Sequence, residues 1–302
     1  MIRSPLRRYS EPDADNERWE GFEFRPGDII ISVPSKSGTT WTQLLIALLI
    51  FDGPEFPAPI SDMSPWMDQK IRTRDAAHAI FAAQEHRRFI KTHTPLDGVP
   101  IGDELTYVCT GRDPRDAAIS MIHHQANMRR HRIRELLAAT VDEPLPEPKP
   151  ESDFVESEYL DRFIDNDDPG PRWSLRFLAH HYRTFWEHRS MTNVELFHFS
   201  DFRSDLPREI KRLGAHLGLD VSPRHAAALA EEASLERARS RAGDVAPEAN
   251  VELWHDNAAF FRSGSAGEWR DRMTPDQQDR YLERVSELME PELANWVHNG
   301  PT

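Results

Sequence analysis

Cysteine is almost absent from this chain of 302 residues. Cys109 is the only one, which excludes an intrachain disulfide and a zinc site built on cysteines. Long apolar runs are missing too: the longest, Leu44 to Phe51, is less than half of what a membrane-spanning helix requires. The segment Met1 to Tyr9 carries charge with no apolar stretch behind it, so no secretory leader is expected. Basic residues are in deficit, Lys+Arg 37 against Asp+Glu 51, for a net charge of −14. That excess of acid argues against nucleic acid as a partner, while leaving room for a local basic pocket around a small anion. Metal-ligand spacing is lacking as well. The pairs His123-His124 and His180-His181 are adjacent on predicted helices, about 100° apart, and cannot chelate one ion as residues four apart can. With 38% hydrophobic and 29% charged residues, the composition predicts a folded, cytoplasmic α/β protein, and an enzyme is expected.

Short apolar runs alternate with helical patterns along the chain. Strands are expected at 27–34, 88–93, 105–110 and 194–199, each β-branched or aromatic and bounded by turn residues. Helices are expected at 39–51, 114–127, 207–219, 223–233 and 275–289, with Asp52-Gly53-Pro54 stopping the first. Strands that are apolar on both faces and separated by helices predict a single α/β domain over residues 1–302. Its central, mostly parallel β-sheet is flanked by α-helices. The stretch 141–153 is rich in proline and acid and reads as an exposed insertion in that domain.

The most informative stretch, Val33 to Trp41, runs from a strand end into a helix start. A tight turn there aims backbone N–H groups at one point, and the helix N-terminus adds positive potential. Lys36 supplies a cation, Ser37, Thr39 and Thr40 supply hydroxyls, and Gly38 permits close approach of the backbone. Trp41 offers a flat face to a base. This is not a Walker A sequence, because the lysine precedes the glycine instead of following it. The strand-turn-helix logic repeats at 107–120, where Arg112 and Ser120 stand about two helical turns apart. Pairing of Arg112 with Asp113 or Asp116 is the alternative there. Lys91-Thr92-His93 ends the second strand, at the edge where ligands gather in open α/β sheets. Near the C-terminus, Phe260 to Arg270 is aromatic, then basic and glycine-rich. Such a loop can fold over a nucleotide, with Arg262 on phosphate and Gly264 offering a backbone N–H.

These segments together resemble the PAPS-dependent sulfotransferases of the cytosolic type, whose fold is similar to that of the P-loop NTPases. The first turn is similar to the family's PKSGTTW loop, with Ser35 inserted between Pro34 and Lys36. Arg112, Asp113, Pro114, Asp116 and Ser120 match R-[ND]-P-x-D-x-x-x-S, and Arg262, Gly264, Gly267 and Trp269 match RKGxxGDWK. The resemblance implies transfer of a sulfonate group from PAPS to the hydroxyl of a small-molecule or lipid acceptor, giving a sulfate ester and PAP. It implies His93 as the catalytic base, Lys36 at the leaving oxygen and Lys91 in a positioning role. It assigns the 5′-phosphate to the first turn with Ser37, Thr39 and Thr40. It assigns the 3′-phosphate to Arg112, Ser120, Arg262 and Gly264, with Ser263 replacing the family's lysine. Phe199, by likeness to Tyr-Glu-Asp-Met, and Ser234-Leu235 would join Trp41 at the adenine. The family's dimer motif falls on Arg270, Thr274, Pro275 and Asp279 and matches only at Thr274, so the oligomeric state stays open. No metal is required. Trp66, Met67, Phe81, His123 and the 141–153 insertion are candidates for the acceptor pocket. The alternatives are an ATP-dependent small-molecule kinase on a similar scaffold and a non-catalytic PAP-binding protein.

Overall fold

Four apolar runs become strands: β1 (Ile29–Ser32), β2 (Phe89–Thr92), β3 (Thr106–Gly111) and β4 (Val194–His198). In this computed structural model, which describes residues 1–141, 144, 145, 147, 154–168, 172–262 and 264–301, they form one parallel sheet in the order β2-β1-β3-β4. Ile30 lies opposite Ile90 and Tyr107, and Tyr107 opposite Val194, so the carboxyl ends of all four strands lie at one edge. Most of the 141–153 insertion lies outside the described residues.

Both faces of the sheet are covered, which is why the strands carry no polar alternation. Ile30, Ile90, Tyr107 and Cys109 pack into a core with Tyr182, Phe185 and Trp296. Ile29, Ile31, Val108 and Phe197 face the opposite way and meet Leu45 and Leu48 of α1 (Thr39–Ile50). Behind them lie Ile210 and Leu213 of a helix over Leu206–His216. Helix α1 is therefore buried between a sheet and other helices, and its residues 44–49 are apolar all round. It stops where Asp52 takes a left-handed conformation at φ 56°. Helix α2 (Pro114–Asn127) begins at Pro114 after Asp113, whose side chain accepts from the Arg115 N–H. Helix α3 (Leu175–Glu187) lies behind the sheet, and α4 (Pro275–Leu288) starts with Thr274 and Gln277 capping each other. Thr274, the one match to the dimer motif, is thus spent on a helix cap.

Three of the four strands are shorter than the runs that announce them, and β3 is shifted by one residue. Gly27 turns away at φ 85° and donates its N–H to the Glu104 carbonyl, 2.8 Å away. Phe199, expected to end the fourth strand, instead starts a short helix over Phe199–Ser204, because the His198 side chain accepts from the Ser200 N–H. Among the described residues, no helix is long and apolar enough to cross a membrane.

An ion pair closes the amino-end edge of the sheet. Arg88 and Asp28, each 2% exposed, are held by two hydrogen bonds, one of them Nε–H to Oδ1 at 2.8 Å. A buried pair loses far more when one partner is removed than it contributes against an apolar substitute. Arg88→Met should therefore lower the unfolding free energy by about 3–5 kcal/mol, read from the denaturant midpoint at unchanged slope.

Candidate active site

The carboxyl ends of β1, β2 and β3 open onto one cavity of about 550 Å³. Both anion turns, the end of β2 and the C-terminal loop contribute to its wall, through Lys36, Gly38, Thr39 and Thr40, Lys91 and His93, Arg112 and Ser120, and Arg262 and Gly264.

The turn after β1 is tightened by two left-handed residues, Lys36 at φ 65° and Gly38 at φ 104°. Gly38 precedes α1 and has no side chain with which to cap it, so the amides of the first turn stay open to the cavity. A Cβ at Gly38 would stand 3.2 Å from the Phe199 ring, tighter than ordinary packing. The Thr39 hydroxyl is buried without a hydrogen-bond partner. An orphan donor beside a helix N-terminus and a lysine fits a phosphate group at this turn. Ser37 is placed differently from Thr39 and Thr40. Its hydroxyl meets the Tyr182 hydroxyl of α3 at 2.7 Å, where it braces the turn from behind.

The second turn touches the first. Arg112 donates from Nη1 to the Lys36 carbonyl at 2.8 Å and from Nη2 to the Ser265 carbonyl at 3.2 Å. Its Nε–H is buried without a partner, and its guanidinium lies 4.6 Å from the Phe199 ring centre. Asp116 and Asp113 act on its charge, but neither is hydrogen-bonded to it. Asp113 pairs with Arg115 at 2.7 Å, and Asp116 accepts the Gly267 N–H at 2.9 and 2.8 Å. The Asp116 contact ties the C-terminal loop to α2. Within that loop Arg262 pairs with Glu268 and Gly264 is left-handed at φ 58°. Ser263 lies outside the described residues.

Trp41 and Phe199 meet edge to face at 5.4 Å, with Phe202 at 5.5 Å from Trp41. The Trp41 indole N–H donates to the Ala233 carbonyl at 3.0 Å. Leu235 lines the same side, while the Ser234 hydroxyl accepts from the Arg237 N–H, 3.3 Å away. The result is a flat, apolar slot beside the first turn.

His93 is buried, with Nδ1 2.6 Å from the Val33 carbonyl. A carbonyl only accepts, so Nδ1 carries the proton and Nε2 keeps its lone pair. Burial, then the positive charge of Lys91, pushes the imidazole well below its usual 6.5. Trp66 packs edge-on against it at 4.7 Å. Asp68 organises this corner by accepting from the indoles of Trp19 and Trp66 at 2.8 and 3.0 Å. It also accepts from the Thr94 hydroxyl at 3.2 Å and from Thr92. Nothing in the local sequence announces Asp68, whose partners include residues 49 and 24 positions away.

Burial lowers both lysines of the cavity, Lys91 to about 8 and Lys36 to about 7, and Arg112, Lys91 and Arg262 add repulsion on Lys36. Of the acceptor-pocket candidates, Trp66 lines the cavity. Met67 and Phe81 do not, since both are wholly buried in the core. His123 faces outward toward Arg272 at 3.4 Å, and its neighbour His124 enters the cavity in its place.

Replacing Thr39 by valine removes an orphan hydroxyl from the free protein and a donor from the proposed phosphate site. Thr39→Val should leave thermal stability unchanged or raised while weakening PAP about tenfold, the scale of one hydrogen bond to a charged group. Calorimetric titration beside a melting curve checks both signs.

Comparison with known proteins gives the family and the fold. The family described as "Sulfotransferase domain" matches residues 26–292. A glycolipid sulfotransferase of Mycobacterium bovis is 43% identical over 302 aligned residues, covering 95% of this chain and 92% of that protein. Its counterpart in Mycobacterium tuberculosis is 43% identical over 301, with the same coverage. In fold, the chain is similar to retinol dehydratase in complex with androsterone and the inactive cofactor PAP, at a TM-score of 0.72 and 21% identity, covering 92% and 87% of the two chains. A mouse sulfotransferase complexed with PAP aligns at a TM-score of 0.69 and 22% identity, covering 93% and 92%. With a match across most of its length and relatives at this identity, the chain belongs to the sulfotransferase family.

Proposed function

We propose that this PAPS-dependent sulfotransferase acts on a hydroxyl of a glycolipid, with His93 as the general base and Lys36 as the cation at the leaving oxygen. The observation that carries the reading is the His93 tautomer, locked by the Val33 carbonyl, in a cavity that both anion turns share. Bound PAPS would supply a sulfonate already activated by its phosphate leaving group. His93 Nε2 takes the proton of the acceptor hydroxyl as that oxygen attacks sulfur. Lys36 meets the negative charge left on the phosphate oxygen, and Lys91 helps to keep His93 neutral. Thr39, Thr40 and the open amides hold the 5′-phosphate. Arg112, Ser120, Arg262 and Gly264 hold the 3′-phosphate, and Trp41, Phe199 and Leu235 flank the base. Ser37 acts through the loop that it braces, and Ser234 through the helix that it caps.

The glycolipid reading is supported by the names of the relatives at 43% identity and by the makeup of the remaining wall. Met121, Met128, Ile133 and Leu253 offer an apolar side that suits acyl chains, and Asp13 and Gln69 offer hydrogen bonds that suit sugar hydroxyls. The whole chain serves as one catalytic domain in this reading, since the groups that meet in the cavity run from Lys36 to Gly264. We place it in the cytoplasm, where a thiol such as Cys109 stays reduced. An ATP-dependent kinase is disfavoured because Thr39 stands where a Walker lysine would follow the glycine.

Transfer of labelled sulfonate from PAPS to glycolipids, with simple phenols as the comparison, tests the reading; preference for phenols would overturn the acceptor class. In that assay His93→Ala should lower kcat by about 10²-fold with PAP affinity near parental. Lys36 yields a second expectation. Its charged form is favoured by a bound anion, so its pKa rises from about 7 when PAP binds. Between about 7 and the raised value the complex holds a proton that the free protein has lost, so PAP affinity falls as pH rises through that window. Calorimetry at pH 8 in buffers of different ionisation enthalpy should show proton uptake, which Lys36→Arg should reduce to the share taken by Lys91.

A further inference from the structure

Helix α2 carries Asp116, Ser120 and His124 at intervals of four residues, so the three side chains share one face. Asp116 anchors the C-terminal loop, Ser120 lines the cavity, and His124 reaches the lysine of the first turn. Its Nδ1 stands 3.3 Å from Lys36 Nζ. The same ammonium lies 4.5 Å from the centre of the Phe260 ring. Trp254 and Phe260 pack edgewise on the imidazole at 4.8 and 6.0 Å, so the ring is held on several sides. An ammonium has donors and no acceptor, which makes Nδ1 the acceptor and leaves the ring proton on Nε2.

The charges that face Lys36 from the second turn, the end of β2 and the C-terminal loop are Arg112, Lys91 and Arg262, all cationic. Among the described residues no carboxylate pairs with Lys36. A carboxylate would hold the ammonium more firmly, but its negative charge would also repel an incoming phosphate. A neutral imidazole holds the ammonium without that cost. Burial, then the charges of Lys36 and Lys91, keeps His124 in the neutral form.

We propose that His124 is a positioning residue for Lys36, its Nδ1 acceptor and the Phe260 ring face holding the ammonium between the anion turn and the acceptor side of the cavity. The catalytic consequence rests on the reading of Lys36 as the cation at the leaving oxygen. The hydrogen bond itself is a property of the free protein.

Two measurements decide the matter separately. Nitrogen NMR of the histidine rings in the ligand-free protein just below pH 7, where Lys36 keeps its proton, should show His124 protonated at Nε2, with an Nδ1 resonance that moves in Lys36→Met. Protonation at Nδ1, or a resonance indifferent to Lys36, would overturn the proposal. In turnover, His124→Phe keeps a ring and removes the acceptor, whereas His124→Asn places an acceptor near the Nδ1 position. His124→Phe should lower kcat about 10–100-fold, the cost of a misplaced catalytic group, with PAP affinity within about threefold of parental. The alkaline limb of its rate profile should move to lower pH, since Arg112, Lys91 and Arg262 then face an ammonium without its acceptor. His124→Asn should recover both. Parental turnover with an unmoved limb in His124→Phe would sink the idea. A parent protein without sulfonate transfer would count against the functional reading instead, and the NMR result would still decide the hydrogen bond.

Discussion

Arg112 reaches across from the second turn to the Lys36 carbonyl, and the organisation of the site depends on that contact. Donating to a carbonyl joins two segments 76 residues apart without cancelling the charge of the guanidinium. A carboxylate in the same place would have joined them equally well and neutralised the cavity. The nearby acids are occupied elsewhere, Asp113 by Arg115 and Asp116 by the Gly267 N–H. Positive charge is thus concentrated where an anion would bind, inside a chain that is acidic overall.

That field has two consequences of opposite kind. It makes Lys36, which is also buried, easier to deprotonate, while burial does the same to Lys91. It also holds His93 neutral, since protonation would add one more charge to a buried, already positive corner. An incoming anion relieves the first effect by compensating the lysines. The base and the cation of the proposed reaction are therefore tuned by the same electrostatics, and the anion partner is what completes them.

The sheet supplies the rigidity that such a cluster needs. β1, β2 and β3 run parallel in close register, so Val33, His93 and Arg112 emerge side by side, each just past a strand end. The Val33 carbonyl that orients His93 stands directly after β1, where the chain enters the anion turn. Asp68 and Tyr182 brace this edge from two sides, one holding Trp66, Thr92 and Thr94, the other holding Ser37 and the Arg112 N–H. At the end of β3, Gly111 leaves room for Trp296, whose ring would stand 2.4 Å from a Cβ there. The parallel fold thus brings the ends of three strands to one cavity.

Local chemistry alone was enough for the strands, α1 and α2, and for the two anion turns. Those depend on neighbours in sequence: a β-branched run, a left-handed glycine at Gly38, a proline at Pro114 that opens a helix. The same reach explains why Lys36 and Thr39 stood out, whereas Arg112, Ser120 and His93 stood out through their resemblance to the family's motifs. Contacts between distant segments were not legible in this way. Ser37 looks like its neighbours in the turn, yet Tyr182, 145 residues on, draws its hydroxyl behind the loop. Met67 and Phe81 are as apolar as a pocket residue should be and are buried in the core instead. His123 and His124 are identical in type, and only the rotation of α2 against the cavity decides which one enters it. Sequence spacing determines what a short segment can form. Which side chains share a cavity is settled by packing, because the pull on any one of them comes from groups that the chain brings near only once it has folded.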